Sequence, residues 1–234
     1  MVQEARLRAR LQYHFGRWYF LLVYQHQAKQ EQKKTGCRIG ALDPGIRTFQ
    51  SYFSEDEAGE IGTDAALRRA DHIIAKIKSL EQRIKRECDP RKVQRLKKAW
   101  YRANARSSNL AMDMHYKTIQ CLFDRFDVII APRLRTASML CDGKLNRKTK
   151  QRMRFYRHGL FHARLMQKAT IQQKVVLDLK EHGTSMTCSS CGVANWQLGS
   201  SKIFWCPNCR FESDRDINSA RNHLLKALVG TKNY

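Results

Sequence analysis

The sequence has few acidic residues for its size. Asp and Glu number 21 against 44 Lys and Arg in 234 residues, which gives a formal net charge of +23. This excess is larger than an ordinary solvated surface needs. It predicts a polyanionic partner, most simply DNA or RNA, bound through phosphates with release of counterions. An anionic membrane is the competing interpretation, but no strongly amphipathic terminal helix supports it.

Long apolar segments are also lacking. The N-terminus has no apolar core of the kind found in secretory signal peptides, and no apolar run approaches the length of a membrane span. We therefore expect an intracellular, non-secreted protein without a membrane partner, in the nucleus if the host is eukaryotic and otherwise in the cytoplasm. Because these compartments are reducing, paired cysteines are expected to bind metal rather than to form disulfides.

Half of the eight cysteines form two Cys-x-x-Cys pairs, and the others are scattered. Cys188, Cys191, Cys206 and Cys209 supply four thiolates, a ligand set that tetrahedral zinc prefers. Because all four ligands would come from the protein, we expect a closed, structural Zn²⁺ site without a catalytic role. The pattern predicts a zinc ribbon over residues 181–213.

The hydrophobic patterns predict an α/β fold. The expected strands are 17–25, 39–42, 48–53, 126–131 and 174–179, and the expected helical regions are 65–123, 148–173 and 217–229. Asp43-Pro44-Gly45 forces a turn between two strands, which makes them a β-hairpin. Asp89-Pro90 divides the first helical region into an antiparallel helical hairpin, because Asp can cap a helix and Pro fits its first position.

Two basic stretches are candidate nucleic-acid surfaces. One is the outer face of the second hairpin helix, and the other is 143–177, which has ten Lys or Arg, no Asp or Glu, and interleaved aromatics. Such a composition suits phosphate contact with base stacking, although a solvated face and core aromatics are the alternative. The predicted nucleic-acid-binding residues are Arg91, Lys92, Arg95, Lys98, Arg102, Arg147, Lys148, Lys150, Arg152, Arg154 and Arg157.

Several acidic residues stand at strand ends or before the last helix. They are Asp43, Glu181, Asp214 and Asp216. Phosphodiester hydrolysis uses two divalent cations, and Mg²⁺ needs only a few carboxylates because it keeps several waters. Each acid also has an ordinary alternative: a turn residue for Asp43, a surface residue for Glu181, and a helix cap for Asp214 or Asp216. Composition and spacing leave both interpretations open.

Four segments carry a resemblance to a known family: GALDPGIRTF, TSMTCSSCG, FWCPNC and DRDINSARN. In this order they resemble the C-terminal half of the TnpB (OrfB-type transposase) nucleases and of the Fanzor proteins, which are related to type V CRISPR effectors. The resemblance implies an RNase H-like (RuvC-like) mixed sheet with a helical hairpin insertion and an inserted zinc ribbon. It also implies cleavage of target DNA with Mg²⁺, directed by a guide RNA.

The resemblance also implies which acids are catalytic. Asp43 matches the first catalytic Asp, and Asp216 matches the last. Where the bacterial pattern has Glu-Asp-Leu, this chain reads Pro132 to Thr136 without an acid. Fanzor-like members have their Glu before the zinc ribbon in an E-x-x-T-S context, which Glu181 fits. The expected catalytic residues and Mg²⁺ ligands are therefore Asp43, Glu181 and Asp216.

The resemblance divides the chain into four parts. Residues 1–36 would be a remnant of a wedge barrel and linker, 37–180 the nuclease core, 181–213 the zinc ribbon, and 214–234 the last catalytic Asp with the C-terminal helix. The family's N-terminal recognition region is largely lacking. A truncated, catalytically inactive DNA- or RNA-binding remnant is therefore one alternative, and a plain zinc-ribbon binding or assembly module is another.

Overall fold

The structure is a computed structural model, and it describes most of the chain. The described residues are 9–22, 36–62, 64–134, 136–141, 145–179, 183–199 and 201–229, with the backbone alone for 64–66. Glu181, the expected second catalytic residue, lies outside the described residues. So does Gly230, where the last helix was expected to end.

The first described segment is a β-hairpin. Strand β1 (Ala9–His14) pairs antiparallel with β2 (Arg17–Leu22), and both residues of the intervening turn, Phe15 and Gly16, have positive φ. Two-residue turns of this kind match the twist of a hairpin. The sequence predicted one strand here, over 17–25, and did not predict β1. Residues 23–25 lie outside the described residues.

A five-stranded mixed sheet forms the centre of the fold. Its strands are β3 (Ile39–Pro44), β4 (Gln50–Phe53), β5 (Ala58–Ile61), β6 (Val128–Ile130) and β7 (Val175–Leu177). The spatial order is β5-β4-β3-β6-β7. Strands β3, β4 and β5 are antiparallel in succession, whereas β6 and β7 run parallel to β3. This mixed sheet with helical connections confirms the predicted α/β, RNase H-like fold class.

The predicted hairpin around Asp43 is present. Strand β3 pairs with β4 so that Asp43 lies opposite Ser51, and the backbone N–H of Gly45 donates to the carbonyl of Phe49 (3.3 Å). A Cβ added to Gly45 would come within 2.6 Å of the carbonyl oxygen of Thr48, so only glycine fits this turn. Strand β5, which no sequence pattern predicted, extends the hairpin by a third antiparallel strand.

Helices connect the parallel strands, which need long crossovers. The first crossover contains α1 (Asp64–Arg86) and α2 (Pro90–Arg125), which pack together as the predicted hairpin. Asp89 caps α2, because its Oδ1 accepts a hydrogen bond from the backbone N–H of Arg91 (2.8 Å), and Pro90 stands at the first position. The sequence predicted both features at the beginning of α2, the Asp cap and the Pro at the first position.

The second crossover contains three helices. They are α3 (Thr136–Cys141), α4 (Arg147–Tyr156) and α5 (His158–Ile171). The single helix predicted over roughly 148–173 is wrong, because Arg157 adopts a left-handed conformation (φ 49°, ψ 50°) and separates α4 from α5. The break allows both neighbours, Tyr156 and His158, to enter the core.

An aromatic cluster around Phe49 forms the main core beneath the Asp43 turn. The buried ring of Phe49 stacks on His158 with 5.2 Å between ring centroids, and it also contacts Tyr156. Nε2 of His158 donates to the carbonyl of Gly45 (3.0 Å). Burial lowers the pKa of His158 to about 4, so its ring is neutral at neutral pH. The core therefore anchors the turn that follows Asp43.

The last elements cross the end of the sheet. They are β8 (Ile203–Trp205), β9 (Glu212–Asp214) and α6 (Arg215–Val229), with β8 and β9 antiparallel. Helix α6 packs across β3 and β4, where Leu224 forms a small apolar cluster with Ala41 and Ile130. Within the part of the chain that the structure describes, none of the helices combines the length and the apolar character that crossing a membrane requires.

Gly40 on β3 offers a test of how tightly the sheet packs. An added Cβ would lie 2.7 Å from the ring of Phe126, which is itself buried. We expect Gly40→Ala to lower the free energy of unfolding by about 1–3 kcal/mol, the usual cost of overpacking a closed core. Urea unfolding followed by circular dichroism measures this change. Gly159→Ala is the control, since nothing lies within 4 Å of an added Cβ there, and equal losses in both variants would contradict the packing explanation.

Candidate functional site

Two of the predicted acidic residues meet at one end of the sheet. Asp43 lies near the end of β3, and Asp216 lies in the first turn of α6. Oδ2 of Asp216 is 3.8 Å from the position of a Cβ on Gly45, so its carboxylate faces the turn that follows Asp43. Both Asp residues line the same cleft, which has a volume of about 400 Å³.

The surroundings of Asp216 concentrate negative charge. Burial, together with the carboxylates of Asp43 and Asp214, raises the pKa of Asp216 to about 6, while the guanidinium groups of Arg215 and Arg47 act in the opposite direction. A divalent cation beside these carboxylates would relieve their repulsion. Carboxylate oxygens are also the hard ligands that Mg²⁺ prefers. The residues present therefore fit a magnesium site.

Asp214 has a different task from Asp216. Its Oδ1 accepts hydrogen bonds from the backbone N–H groups of Asp216 (2.9 Å) and Ile217 (3.3 Å), which is the arrangement of a helix cap. Its Oδ2 lies 3.5 Å from Nζ of Lys202. The sequence left open which acid caps the last helix, and the structure assigns the cap to Asp214.

Sequence reasoning missed Glu60 on β5, which lies beside these acids. Ligand oxygens of Glu60, Asp214 and Asp216 are all within 4.8 Å of one another. Nζ of Lys202 is 3.2 Å from Oε1 of Glu60, so an ammonium group already balances Glu60 and Asp214. Strand β5 has only four residues and no clear alternation, so no sequence signal pointed to Glu60.

The segment after Glu181 borders the same cleft. Residues 183–185 line it together with Asp43 and Asp216. The described chain resumes at Gly183, two residues beyond Glu181. Because Glu181 itself is outside the described residues, its assignment as the third carboxylate stays a prediction.

Helix α6 bonds to this segment and to the chain around Cys188 through two asparagines that were not predicted. Asn222 donates to the carbonyls of Thr184 (2.8 Å) and Thr187 (2.7 Å), and Asn218 donates to Thr187 (2.8 Å). The side-chain oxygen Oδ1 of Asn218 also accepts a hydrogen bond from the backbone N–H of Ser189 (3.0 Å). The spacing of four residues between the asparagines, which places both on one helix face, is the signal that could have found them.

Asp43 is held by the same helix. Ser219 Oγ donates to Oδ1 of Asp43 (2.8 Å). Nε2 of His223 lies 3.5 Å from that oxygen and 3.4 Å from Oγ1 of Thr184. Ser219 and His223 are both fully buried, so these contacts are shielded from water.

The four predicted zinc ligands come together. The Sγ atoms of Cys188, Cys191, Cys206 and Cys209 all lie within 4.8 Å of one another, at 3.7 Å for Cys188–Cys209 and 3.5 Å for Cys191–Cys206. A tetrahedron with Zn–S bonds of about 2.3 Å separates its sulfurs by about 3.8 Å, whereas a disulfide requires about 2.05 Å. Burial raises the pKa of Cys188 to about 12, so this thiol needs a cation to be held as a thiolate at neutral pH. The cluster could therefore bind zinc.

The predicted nucleic-acid-binding residues fall on two surfaces. Five are exposed on α2: Arg91, Lys92, Arg95, Lys98 and Arg102. On α4, Arg147, Lys150 and Arg154 line a groove of about 600 Å³ that also borders α1 and α2. Arg157 lines the same groove, and its guanidinium donates to Oγ of Ser108 (3.3 Å).

Arg152 is engaged inside the protein. Its Nε and Nη2 donate to the two carboxylate oxygens of Asp71 on α1 (3.2 and 2.7 Å), and these bonds lower the pKa of Asp71. Nζ of Lys148 lies 3.5 Å from the same carboxylate. The ion pair between Arg152 and Asp71 connects α4 to α1. A contact of Arg152 with nucleic acid stays a prediction.

Removal of one buried thiolate tests the zinc site. We expect the purified chain to carry one zinc ion, and Cys206→Ser to lose it, because a hydroxyl is a poor ligand where a soft thiolate is required. Emission spectrometry after dialysis measures the metal content. Cys88→Ser is the control, since Cys88 is exposed and lies outside the cluster. Equal zinc content in both variants would rule out this site.

Two neighbouring arginines on α4 are expected to have different roles. Arg152 should contribute to stability and Arg154 to DNA binding. We expect Arg152→Ala to lower the free energy of unfolding by about 1–2 kcal/mol, because it removes both hydrogen bonds of the guanidinium to the partly buried Asp71 and leaves only Lys148 beside that carboxylate. Arg154→Ala should change stability by less than about 0.5 kcal/mol. It should instead weaken DNA binding and reduce the slope of its salt dependence by about one. Urea unfolding and binding titrations over a range of salt measure the two effects, and the reverse pattern would contradict these roles.

Sequence comparison connects the chain to known proteins. Residues 158–223 match the family model Cas12f1-like, TNB domain. The TnpB-like proteins L79 and L770 of Acanthamoeba polyphaga mimivirus are each 30% identical over 222 residues, which is 91% of this chain and 41% of the relative. A transposase-like protein of that virus, R186, is 31% identical over 204 residues, with 84% and 41% covered. The chain thus spans less than half the length of these relatives.

Solved structures share the fold. The TM-score is 0.55 to Cas12f1 in its complex with sgRNA and target DNA, at 14% identity over 91% of this chain and 54% of that chain. It is 0.59 to the mini-RNA-guided endonuclease CRISPR-Cas_phi3, at 13% identity over 84% and 46%. Identities this low establish the fold alone. Sequence and fold together confirm the resemblance that the motifs predicted: over most of its length the chain is similar in sequence to TnpB-like proteins, and its fold is similar to that of Cas12 proteins.

Proposed function

We propose that the chain is a metal-dependent DNA endonuclease core of the TnpB type. The observation that carries this proposal is the meeting of Asp43 and Asp216 in one cleft. The cleft lies at the end of a sheet whose fold is shared with Cas12 proteins. Glu181, whose following residues border the cleft, would complete a set of three carboxylates.

Asp43, Glu181 and Asp216 would hold Mg²⁺, and two ions suit the cleavage of a phosphodiester. The crowding of Asp43 and Asp216, and their hard oxygen donors, support this assignment. Bound there, Mg²⁺ would stabilise the negative charge that develops on the scissile phosphate.

Other residues of the cleft would orient the substrate. Arg47 and Arg215 line it and supply positive charge beside the two Asp residues. A hydrogen bond from Nη1 of Arg215 to the carbonyl of Gly199 (2.8 Å) fixes the direction of that side chain. Leu134 and Met139 form an apolar part of the wall. A phosphate would thus be held between cations next to the carboxylates.

Target DNA and a guide RNA are the partners that we infer. A net charge of +23, the exposed basic face of α2 and the groove beside α4 all suit a nucleic-acid backbone. The fold is similar to that of Cas12f1 in a complex with sgRNA and target DNA, and to an RNA-guided endonuclease. The inference that this chain binds a guide RNA is based on that similarity in fold.

Each of the four sequence ranges has its own proposed role. Residues 37–180 and 214–234 would form the nuclease core, and 181–213 a zinc ribbon with a structural role. Residues 1–36 would be the remnant of a barrel. The hairpin of β1 and β2 supports this last point, since Trp18 and Phe20 are each 66% exposed and form part of an apolar surface.

A catalytically inactive nucleic-acid-binding remnant is the second candidate. The net charge of +23 and the basic groove beside α4 support it, because both suit binding of a nucleic-acid backbone whether or not the cleft cuts. A plain zinc-ribbon module has less support, since the similarity to L79 extends over 91% of this chain and far beyond the ribbon.

Substitution of the three carboxylates distinguishes the candidates. We expect the wild-type chain to cut DNA in the presence of Mg²⁺. Asp43→Ala, Glu181→Gln and Asp216→Ala should each reduce cutting by at least about 100-fold, because each would remove a metal ligand. DNA binding should persist in all three. Cleavage of supercoiled plasmid, with and without co-purifying RNA, and gel mobility shift measure the two properties.

Asp113→Asn provides the matched control for these variants. Asp113 is an exposed carboxylate on α2 that pairs with Lys117 and lies on a helix that contributes nothing to the cleft. Wild-type chain that binds DNA but never cuts it would favour the inactive remnant. Cutting that persists in Asp43→Ala would contradict the proposed site.

A further inference from the structure

The buried polar face of α6 has a function beyond packing. We propose that Ser219 and His223 are positioning residues for Asp43. They hold Oδ1 of its carboxylate so that Oδ2 is presented to the cleft. This inference rests on the proposed function of the cleft and adds to it the two groups that orient one of its carboxylates.

Ser219 makes the shortest contact with Asp43. Its Oγ lies 2.8 Å from Oδ1, and the residue is 1% exposed. A buried hydrogen bond from a hydroxyl to a carboxylate is among the stronger hydrogen bonds in proteins. A serine hydroxyl has a single proton, which is directed to Asp43. Thr184 Oγ1 is a second acceptor for this proton, but at 3.3 Å it lies farther from Ser219 Oγ than Asp43 Oδ1 does.

His223 completes the arrangement from the next turn of α6. Its Nε2 lies within 3.5 Å of both Asp43 Oδ1 and Thr184 Oγ1, whereas its buried Nδ1 has no hydrogen-bond partner among the described residues. The tautomer with its proton on Nε2 leaves only an acceptor unpaired at Nδ1, which is less costly than an unpaired N–H group. With this tautomer Nε2 is a donor that faces Oδ1 of Asp43 as well as Oγ1 of Thr184.

The arrangement leaves one oxygen of Asp43 available. Oδ2 accepts no hydrogen bond from the residues that the structure describes, and Asp43 lines the cleft. With Oδ1 fixed, the carboxylate cannot rotate freely, so Oδ2 keeps one direction.

One helix face carries all of these groups. Asp216, Ser219 and His223 are spaced by three and four residues, which places them in a row along α6. Helix α6 therefore supplies one proposed metal ligand and orients another. Any rotation of the helix would move both carboxylates of the cleft together.

Metal affinity measured apart from cleavage tests the proposal. We would titrate the full zinc-loaded chain with Mn²⁺ and follow free Mn²⁺ by electron paramagnetic resonance. Ser219→Ala and His223→Leu should each weaken the Asp43-dependent binding of Mn²⁺ by about 10–100-fold, the usual effect of removing a group that orients a ligand. The Mg²⁺ concentration for half-maximal cleavage should rise by the same factor, while DNA affinity stays unchanged.

Conservative variants and a matched control exclude a merely structural effect. Ser219→Thr keeps a hydroxyl and His223→Gln keeps an N–H donor, so both should recover Mn²⁺ affinity. Ser51→Ala removes a hydroxyl that is equally buried, lies opposite Asp43 in the sheet and has no hydrogen-bond partner among the described residues. It should bind Mn²⁺ like the wild type. Thermal unfolding of every variant identifies those that do not fold.

Each outcome decides the question. Wild-type affinity in Ser219→Ala and His223→Leu, with binding lost in Asp43→Ala, overturns the proposal. If Ser219→Ala does not fold, Ser219→Cys takes its place, because a thiol fills the volume but is a weak donor. Weakened Mn²⁺ binding in a chain that cuts no DNA would support the positioning role and contradict the nuclease activity. Absence of any Asp43-dependent Mn²⁺ binding in the wild type would overturn both.

Discussion

The contact between α6 and the end of β3 is the interaction on which the candidate site depends. The helix buries Leu224 against β3 and β6 at one level and bonds Ser219 to Asp43 at another. The apolar contact fixes the distance between helix and sheet, and the hydrogen bond fixes the rotation of the helix about its axis. Because Asp216 belongs to the same helix, this one interface sets its separation from Asp43.

Two asparagines of α6 extend this interface to the chain that carries the cysteine cluster. The amides of Asn218 and Asn222 satisfy the carbonyls of Thr184 and Thr187, in a stretch whose only bridge to another strand is the one between Thr187 and Ala194 among the described residues. A metal ion that gathers the four thiolates would close the loops between Cys188 and Cys209. It would then restrain the chain that connects the cleft-lining residues 183–185 with α6, so a metal site outside the sheet can bear on the cleft.

Sequence alone predicted those elements whose signals are local. Three such features are found as expected, and each depends on residues that are close in sequence. They are the Asp89-Pro90 start of α2, the turn after Asp43 and the two Cys-x-x-Cys pairs. Strand β5 and its Glu60 could not be predicted, because four residues carry no period and pairing with β4 creates the strand. The break at Arg157 was also hidden, since the pattern is helical on both sides and the demands of the core override it.

The net charge of the sequence indicates a polyanionic partner, but it does not show which basic side chains would contact that partner. Arg152 binds Asp71, which is 81 residues away in sequence, so no local pattern distinguishes Arg152 from Lys150 or Arg154. Part of the positive charge therefore acts within the molecule. In the cleft, Arg47 and Arg215 lower the pKa of Asp216 against burial and the neighbouring carboxylates. Without these two arginines Asp216 would stay protonated to a higher pH, so the basic excess serves the cleft as well as a polyanionic partner.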